Sequence, residues 1–315
     1  VVRVVRKICL LLLIVPVLAF GAEAEKAVPP GLNAETMKGL ELRPLGPAFM
    51  SGRISDIVLH PDNSNIKYVG VGSGGVFKTL NSGISWEPIF DSEGSYSIGC
   101  ITLDPNRPDT VWVGTGENVS GRHVGFGDGV YRSLDGGKSW TNMGLKKSEH
   151  IGMIRIDPRD SNVIFVAAQG PLWSGGGDRG LFKSVDGGKS WNKVLGAGEF
   201  TGVSEVLMDP RDPDVMYATT WQRLRTVASL MDGGPESGIH KSTDGGNTWR
   251  ELKTGLPEED MGKVGLAISP QKPDVVYATI ELPGREGGFW RSEDSGETWE
   301  KRNEYLSSGT GPHYY

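Results

Sequence analysis

Cysteine is scarce in this chain, and no long basic run occurs outside the N-terminus. The two cysteines are Cys9 and Cys100, and Cys9 lies in an N-terminal stretch that we expect to be removed. One remaining cysteine excludes an internal disulfide in the mature stretch. The chain has 33 basic and 39 acidic residues, a formal charge of −6. Because phosphate backbones require a basic footprint, we expect no nucleic-acid partner.

The composition also disfavours helical architectures. Glycine and proline number 46 and 19 among 315 residues, about a fifth of the chain against a typical ~12%. Helical bundles and coiled coils are therefore poor candidates. Hydrophobic residues at 37% and charged residues at 23% are ordinary for a globular protein and exclude a collagen-like or largely disordered chain.

The N-terminus has the pattern of a secretion signal. Arg3, Arg6 and Lys7 precede an apolar stretch over 8–20, and small residues follow at 22–24. The apolar stretch has 13 residues, whereas a membrane span needs about 20. We predict a cleaved signal peptide over 1–24, a linker over 25–45 and a secreted or periplasmic domain over 46–315, with no membrane span in the mature chain.

One eight-residue phrase occurs five times, and we call each copy a box. The template is S-x-D-x-G-x-[ST]-W, and the intervals between successive tryptophans are 54, 51, 58 and 50 residues. Each box ends in a tryptophan: Trp86, Trp140, Trp191, Trp249 and Trp299. The third position is occupied by Asn81, Asp135, Asp186, Asp244 and Asp294. Such a period indicates a repeated supersecondary unit.

Between boxes, two apolar segments flank a proline turn, so each unit contains four short strands. In the third unit we predict strands over 151–156, 163–168, 180–184 and 191–194. Four-stranded antiparallel units with a period of about 50 residues predict an all-β fold, a β-propeller. A linear β-solenoid is the alternative, although its coils are much shorter. Five blades are visible and a sixth begins before Tyr315, so we expect an incomplete ring with further C-terminal domains missing.

The boxes are predicted to be structural. An Asp or Asn at the turn accepts backbone N–H bonds, glycines provide positive φ, and the tryptophan packs on the neighbouring sheet. One carboxylate per box falls short of the oxygen set of a calcium site. His123 has no second His or Cys at ligand spacing. We predict neither a metal site nor a cofactor.

The boxes resemble the Asp-box, or bacterial neuraminidase repeat, of sialidases, sortilin-type receptors, two-propeller xyloglucanases and a photosystem II assembly factor. The phrases at 114–118 and 218–225 look most like large secreted bacterial proteins with a sortilin-type N-terminal domain. The resemblance implies a β-propeller and leaves the function open, because these relatives differ in function. Xyloglucanases have a catalytic Asp before a Gly-Gly pair, where this chain has Gly72. Sialidases open with Arg-Ile-Pro, of which Arg53-Ile54-Ser55 is a partial match.

We predict that ligands bind on the face opposite the boxes, where the loops between second and third strands lie. Those loops vary in length and contain polar and aromatic side chains that would line a basin near the axis. The candidate ligand-binding residues are Glu117, Asn118, Arg122, His123, Asp128, Gln169, Trp173, Asp178, Arg179, Trp221, Gln222, Arg223, Arg225, Glu281 and Arg285. No catalytic residue is assigned among them.

Two functions remain open at this point. The first is an exported binding or scaffold module that recognises an extracellular peptide, protein or glycan, as the sortilin resemblance implies. The second is a sialidase-like or xyloglucanase-like glycoside hydrolase, which would need two carboxylates flanking the scissile bond. Gly72 in place of the family Asp favours the binding module.

Overall fold

Nearly every regular element of the computed structural model is a β-strand. The structure describes residues 52–196 and 198–303, which all belong to the larger of two compact units, Leu45–Tyr315. The predicted signal peptide, the linker and the start of a sixth blade lie outside the described residues. One short 3-10 turn, Pro283–Arg285, is the only helical element in the described ranges.

The first three blades are four-stranded sheets whose strands follow chain order. The strands of the first blade are β1 (Ile54–Leu59), β2 (Lys67–Val71), β3 (Gly75–Thr79) and β4 (Glu87–Pro88). The strands of the second are β5 (Ile98–Asp104), β6 (Arg107–Thr115), β7 (Val130–Ser133) and β8 (Thr141–Asn142). The strands of the third are β9 (Ile151–Asp157), β10 (Asp160–Ala168), β11 (Gly180–Ser184) and β12 (Asn192–Leu195).

The fourth and fifth blades repeat this order, with a two-stranded hairpin added to the fourth. The strands of the fourth blade are β13 (Thr201–Met208), β14 (Met216–Gln222), β17 (Gly238–Ser242) and β18 (Arg250–Leu252). The hairpin consists of β15 (Leu224–Arg225) and β16 (Leu230–Met231). The strands of the fifth are β19 (Val264–Ile268), β20 (Val276–Ile280), β21 (Gly288–Ser292) and β22 (Glu300–Asn303).

This arrangement confirms the predicted all-β propeller of four-stranded antiparallel blades. In the third blade, β11 has the predicted bounds, while β10 begins three residues early because Asp160 pairs with Asp157 at the turn. The first strands of successive blades contact one another, so they lie nearest the axis. Because all strand pairs are antiparallel, the boxes and the loops between second and third strands lie on opposite faces.

The hydrophobic core is divided into four clusters, one between each pair of successive blades. Strand β10 shows how the sequence produces this division. Ile164, Val166 and Ala168 pack toward the second blade, whereas Phe165 and Ala167 pack toward the fourth. Successive side chains of a strand point to opposite faces, so a strand buried on both sides is apolar throughout.

Each box forms a turn that is closed by hydrogen bonds to its third residue. In the third blade, Asp186 Oδ1 accepts hydrogen bonds from Ser184 Oγ at 2.8 Å and Ser190 N at 2.9 Å. The hydroxyl of Ser190 donates to Oδ2 at 2.6 Å and holds the pKa of Asp186 well below its usual range. Gly187 and Gly188 have φ of 75° and 84°, which favours glycine. The corresponding bonds recur at Asn81, Asp135, Asp244 and Asp294.

The box tryptophans join successive blades in two different ways. Trp140 Nε1 donates to Ile89 O at 2.7 Å, and Trp191 Nε1 donates to Met143 O at 2.8 Å, both in the preceding blade. Trp249 and Trp299 donate instead to a glycine carbonyl of their own box. Their rings still pack against the clusters that they share with the preceding blade. Packing between blades is therefore common to all four of these tryptophans, and the polar contact varies.

A second contact between blades recurs, and we call it the clamp. A Lys or Arg near the end of the third strand in each of the first four blades donates to a box carbonyl of the next blade. It also lies over an aromatic ring of its own second strand, a favourable cation–π placement. The donor–acceptor pairs, at 2.7 to 2.8 Å, are Lys78 with Gly136, Arg132 with Gly187, Lys183 with Gly245 and Lys241 with Ser295.

Candidate functional site

The face opposite the boxes, which we call the ring face, brings together loops from all five blades. Its second-to-third strand loops cover 72–74, 116–129, 169–179, 223–237 and 281–287, between the strands described above. The links between blades end on the same face. Residues from these links join the candidate site alongside the loop residues predicted from the sequence.

The loop of the second blade crosses the ring face toward blades four and five. We call residues 118–120 the strap. Lys263 Nζ donates to Asn118 O at 2.8 Å. Arg223 and Arg225 donate to the carbonyls of Val119 and Ser120, each at 3.4 Å. Three cationic side chains therefore hold three consecutive neutral carbonyls, and we call these side chains the cation cluster.

Trp221 and the strap hold two members of the cation cluster in place. The indole of Trp221 is 1% exposed, with the Arg223 guanidinium 4.8 Å and the Lys263 ammonium 5.4 Å from its ring. Burial lowers the pKa of Arg223 to about 9 and lowers the pKa of Lys263. Both side chains are therefore cations that have lost water without gaining a close carboxylate hydrogen bond among the contacts described.

Two acidic residues lie on either side of Gly262, and both interact electrostatically with Lys263. A Cβ at Gly262 would meet the backbone carbonyl oxygen of Asp232 and the Glu281 side chain, each at 2.9 Å. Burial raises the pKa of Asp232 to about 6, against the charge of Arg223. Burial and the charge of Asp232 raise the pKa of Glu281 to about 7. Because both groups are partly protonated near neutral pH, they compensate the cations incompletely.

Glu117 immediately precedes the strap and lies beside Gly72. Its side chain is 3% exposed, and Arg53 Nε donates to Oε1 at 2.6 Å. A Cβ at Gly72 would lie 2.8 Å from Glu117 Oε1. Glu117 Oε2 is buried and has no hydrogen-bond partner in the described residues. A carboxylate from the second blade therefore occupies the space next to Gly72 of the first blade.

Below the strap, several other buried polar atoms have no partner in the described ranges. They are Gln169 Oε1, His150 Nε2, Arg223 Nε and Trp221 Nε1. Burial lowers the pKa of His150 to about 3, so the ring is neutral. His150 Nδ1 is 2.8 Å from Glu117 O and must be the protonated nitrogen, which leaves Nε2 as an acceptor. Gln169 Nε2 donates to Asn118 O at 3.2 Å.

The predicted ligand-binding residues fall into three groups by exposure. The buried ones are Glu117, Gln169, Arg179, Trp221, Arg223 and Arg225. Those of intermediate exposure are Asn118, Asp128, Asp178, Gln222 and Glu281. Arg122, His123 and Trp173 are exposed, and the side chain of Arg285 lies outside the description. The open polar basin remains a prediction, and the buried members would contact a ligand only after a local rearrangement.

Three of these residues have a local structural role. Arg179 donates to five backbone carbonyls of its own loop and its neighbourhood, including Gln169 O at 3.0 Å, and burial lowers its pKa to about 10. Asp128 accepts from Tyr131 Oη at 2.6 Å. Asp178 accepts from the backbone N–H of Lys147 at 2.9 Å. Each contact fixes the conformation of a loop.

Sequence reasoning missed Lys263, His150 and two exposed aromatic side chains on the ring face. Tyr96 is 66% exposed and approaches Gly125, whereas Phe126 is 55% exposed and its ring centre lies 5.9 Å from that of His150. Tyr96, His150 and Lys263 lie in links between blades, which the prediction treated only as connections. Since links and second-to-third strand loops share one face, the topology offered a signal for including them.

The described part of the chain contains no group of three or more His, Cys, Asp or Glu side chains arranged to hold a metal ion. Among the same residues, no helix is long and apolar enough to cross a membrane.

Comparisons with known proteins find xyloglucanases. The chain is similar to a xyloglucanase of Hypocrea jecorina, 27% identical over 305 residues, which are 87% of this chain and 34% of that protein. It is 24% identical over 278 residues to a xyloglucanase of a Paenibacillus species, covering 79% of this chain and 26% of that protein. The chain thus spans about a quarter to a third of the length of these relatives.

A solved structure supports the fold. An ancestral GH74 enzyme superposes with a TM-score of 0.60 at 22% identity, covering 80% of this chain and 31% of that one. At this level of identity, the likeness concerns the fold. No protein-family model matches the chain.

Proposed function

We propose that the chain is the glycan-contacting propeller of an extracellular glycoside hydrolase. The observation that carries this proposal is the alignment of 87% of the chain with a protein named xyloglucanase. It favours hydrolysis of an extracellular polysaccharide over the non-enzymatic scaffold that we expected first. Secretion through the predicted signal peptide and membership of the Asp-box repeat class are parts of the same proposal.

The ring face offers the surface that such a function requires. Tyr96, Phe126 and Trp173 are 66%, 55% and 37% exposed, and exposed aromatic rings are suited to stacking on sugar rings. Arg122 and His123 are exposed polar groups in the loop that includes the strap. Large apolar rings with neighbouring hydrogen-bonding groups are typical of saccharide and small-molecule sites.

Glu117 is our candidate for one of the two catalytic carboxylates. The family resemblance implies an Asp at the position of Gly72, and Glu117 Oε1 lies 2.8 Å from where the Cβ of that residue would be. Arg53 holds Oε1, and Oε2 has no donor in the described residues. Oε2 is therefore the oxygen left to accept a proton from the attacking water, the role of a general base. The second carboxylate is not assigned.

The test is turnover of xyloglucan and of chromogenic glycosides by the secreted protein. Glu117→Gln keeps the size and the Arg53 contact and removes the base, so we expect kcat to fall about a hundredfold or more. Glu286→Gln, an exposed ring-face carboxyl of the fifth blade, is the matched control and should retain activity.

The binding module remains the second candidate, because Gly72 replaces the catalytic residue that the resemblance implies. Saturable glycan binding without turnover, together with equal affinity of wild type and Glu117→Gln, would establish that function. Turnover that survives in Glu117→Gln would refute the role of Glu117 without refuting hydrolysis. If the protein neither binds nor hydrolyses any glycan, the proposed function itself is contradicted.

A further inference from the structure

The space beneath the strap contains more hydrogen-bonding capacity than the protein uses. Arg223, Trp221, His150 and Gln169 are each at least 98% buried, and each has one polar atom without a partner in the described residues. A buried polar atom without a partner costs on the order of 1 to 3 kcal/mol, so four around one loop require an explanation.

The four polar atoms without a partner include both donors and acceptors. Arg223 Nε and Trp221 Nε1 can only donate, whereas Gln169 Oε1 and the neutral His150 Nε2 can only accept. A ligand that satisfies both kinds must itself offer donors and acceptors. Sugar hydroxyls do both, which suits a saccharide better than a simple inorganic anion.

The cation cluster adds a charge preference. Arg223 and Lys263 face neutral carbonyls of the strap, and the contact from Arg223 is 3.4 Å long. Cationic donors form shorter and stronger hydrogen bonds with a carboxylate, and a planar guanidinium can bind it with two parallel bonds. The strap is thus a weaker partner for these side chains than an anion would be.

Displacement of residues 118–120 would break the bonds from Asn118 Nδ2 to Gly99 O at 3.0 Å and from Gln169 Nε2 to Asn118 O at 3.2 Å, but not the bonds that hold Glu117. Glu117 N donates to Ser97 Oγ at 3.0 Å, and Arg53 holds its side chain. After the strap, Gly121, Gly125 and Gly127 follow within seven residues. Glycine permits the large φ and ψ changes that opening requires.

We propose that the cation cluster and the polar groups beneath the strap form a binding site for an acidic saccharide of the uronate class, which displaces residues 118–120. The ligand carboxylate pairs with Arg223 and Lys263, and its hydroxyls bond with Gln169 and His150. This proposal rests on the proposed glycan-directed function and names an acidic ligand class for the same face. Relative to a neutral sugar, a uronate gains the ionic contacts that the strap carbonyls cannot supply.

The test measures binding of trigalacturonate and of neutral galactotriose to the full chain by titration calorimetry. We expect trigalacturonate to bind at least about tenfold more tightly and its affinity to fall with added salt. Lys263→Met should weaken trigalacturonate binding by about tenfold or more, and Lys263→Arg should restore most of it. Lys146→Met is the matched control because Lys146 is an exposed lysine of the link between blades two and three on the same face, so the affinity of this variant should change by less than about twofold.

Hydrogen exchange of the backbone amides of residues 118–120 provides a second readout. Trigalacturonate should accelerate their exchange if it displaces the strap, and protection or no change would overturn that displacement. Equal affinity for the two saccharides, or an equal loss in Lys263→Met and Lys146→Met, would overturn the uronate site. Turnover of xyloglucan without any preference for trigalacturonate would refute this inference alone, whereas absence of all glycan binding and turnover would refute the proposed function as well.

Discussion

The clamp between blades three and four is open to a direct test by Lys183→Met. Lys183 Nζ donates to Gly245 O at 2.7 Å and to Asn247 Oδ1 at 2.9 Å, and it lies 5.4 Å from the Phe165 ring centre. Methionine retains the apolar stem that packs on the ring and removes the ammonium group. The substitution therefore isolates the polar part of the contact.

The expected loss of stability follows from those contacts. A hydrogen bond from a charged donor to a backbone carbonyl contributes about 1.5 to 3 kcal/mol, and the partly exposed cation–π contact adds roughly 0.5 to 1 kcal/mol. The bond to the exposed Asn247 adds little. Relief of the desolvation of Lys183 offsets part of this sum. We expect the free energy of unfolding to fall by about 2 kcal/mol.

The assay is urea unfolding followed by tryptophan fluorescence, with the midpoint reduced and the slope unchanged. Lys189→Met is the control, since Lys189 is exposed in the box of the same blade, and it should stay within about 0.5 kcal/mol of wild type. If Lys183→Met also stays within that range, or if both variants lose the same amount, the clamp does not stabilise the contact between blades and our reasoning is wrong.

Four further predictions concern the boxes, the ring face and the buried thiol. Because hydrogen bonds from Ser190 and Ser184 lower the pKa of Asp186, its stabilising effect is complete above the unfolded pKa near 4 and is lost as pH falls. Asp186→Asn should therefore show a flatter loss of stability than wild type between about pH 5 and pH 2 in denaturant titrations. Burial raises the pKa of Glu281 to about 7, so ionisation destabilises the fold as pH rises through that value. Glu281→Gln should be more stable than wild type at about pH 8 and lose that advantage at about pH 5; an advantage at acid pH instead would contradict the sign. Gly116→Ala should lose at least about 2 kcal/mol, because φ is 85° and its Cβ would lie 1.7 Å from Glu149 O, and a melting temperature equal to that of wild type would contradict this. Burial raises the pKa of Cys100 to about 12, so Cys100 should react with Ellman's reagent only on unfolding, as judged by peptide mass mapping, and rapid labelling of the folded protein would show an open thiol.

The blades could be predicted because their determinants are local. Alternation of apolar residues with period two, a proline turn and a box of eight residues each act within one unit. The box at Asp186 is closed by Ser184, Lys189 and Ser190, all within four residues of it. Five copies of this pattern were therefore sufficient to predict the strands of the third blade to within three residues, and the face on which the boxes lie.

The ring face depends on contacts between residues that are far apart in the chain. Lys263 reaches the carbonyl of Asn118 across 145 residues, and Arg223 reaches Val119 across 104. The loop residues that we expected to line an open basin could not be sorted into buried and exposed ones from their types, because Arg and Glu are usually exposed unless distant partners surround them.

The repeat, the four-stranded blade and the turn that closes each box follow from interactions between near neighbours in the chain, so residue order is sufficient to predict them. The position of Glu117 beside Gly72 and the cover of the strap over the cation cluster depend instead on how distant segments pack in the fold. Those arrangements arise when the ring brings blades one, two, four and five to one axis, and burial, charge compensation and unsatisfied hydrogen bonds are properties of that assembly.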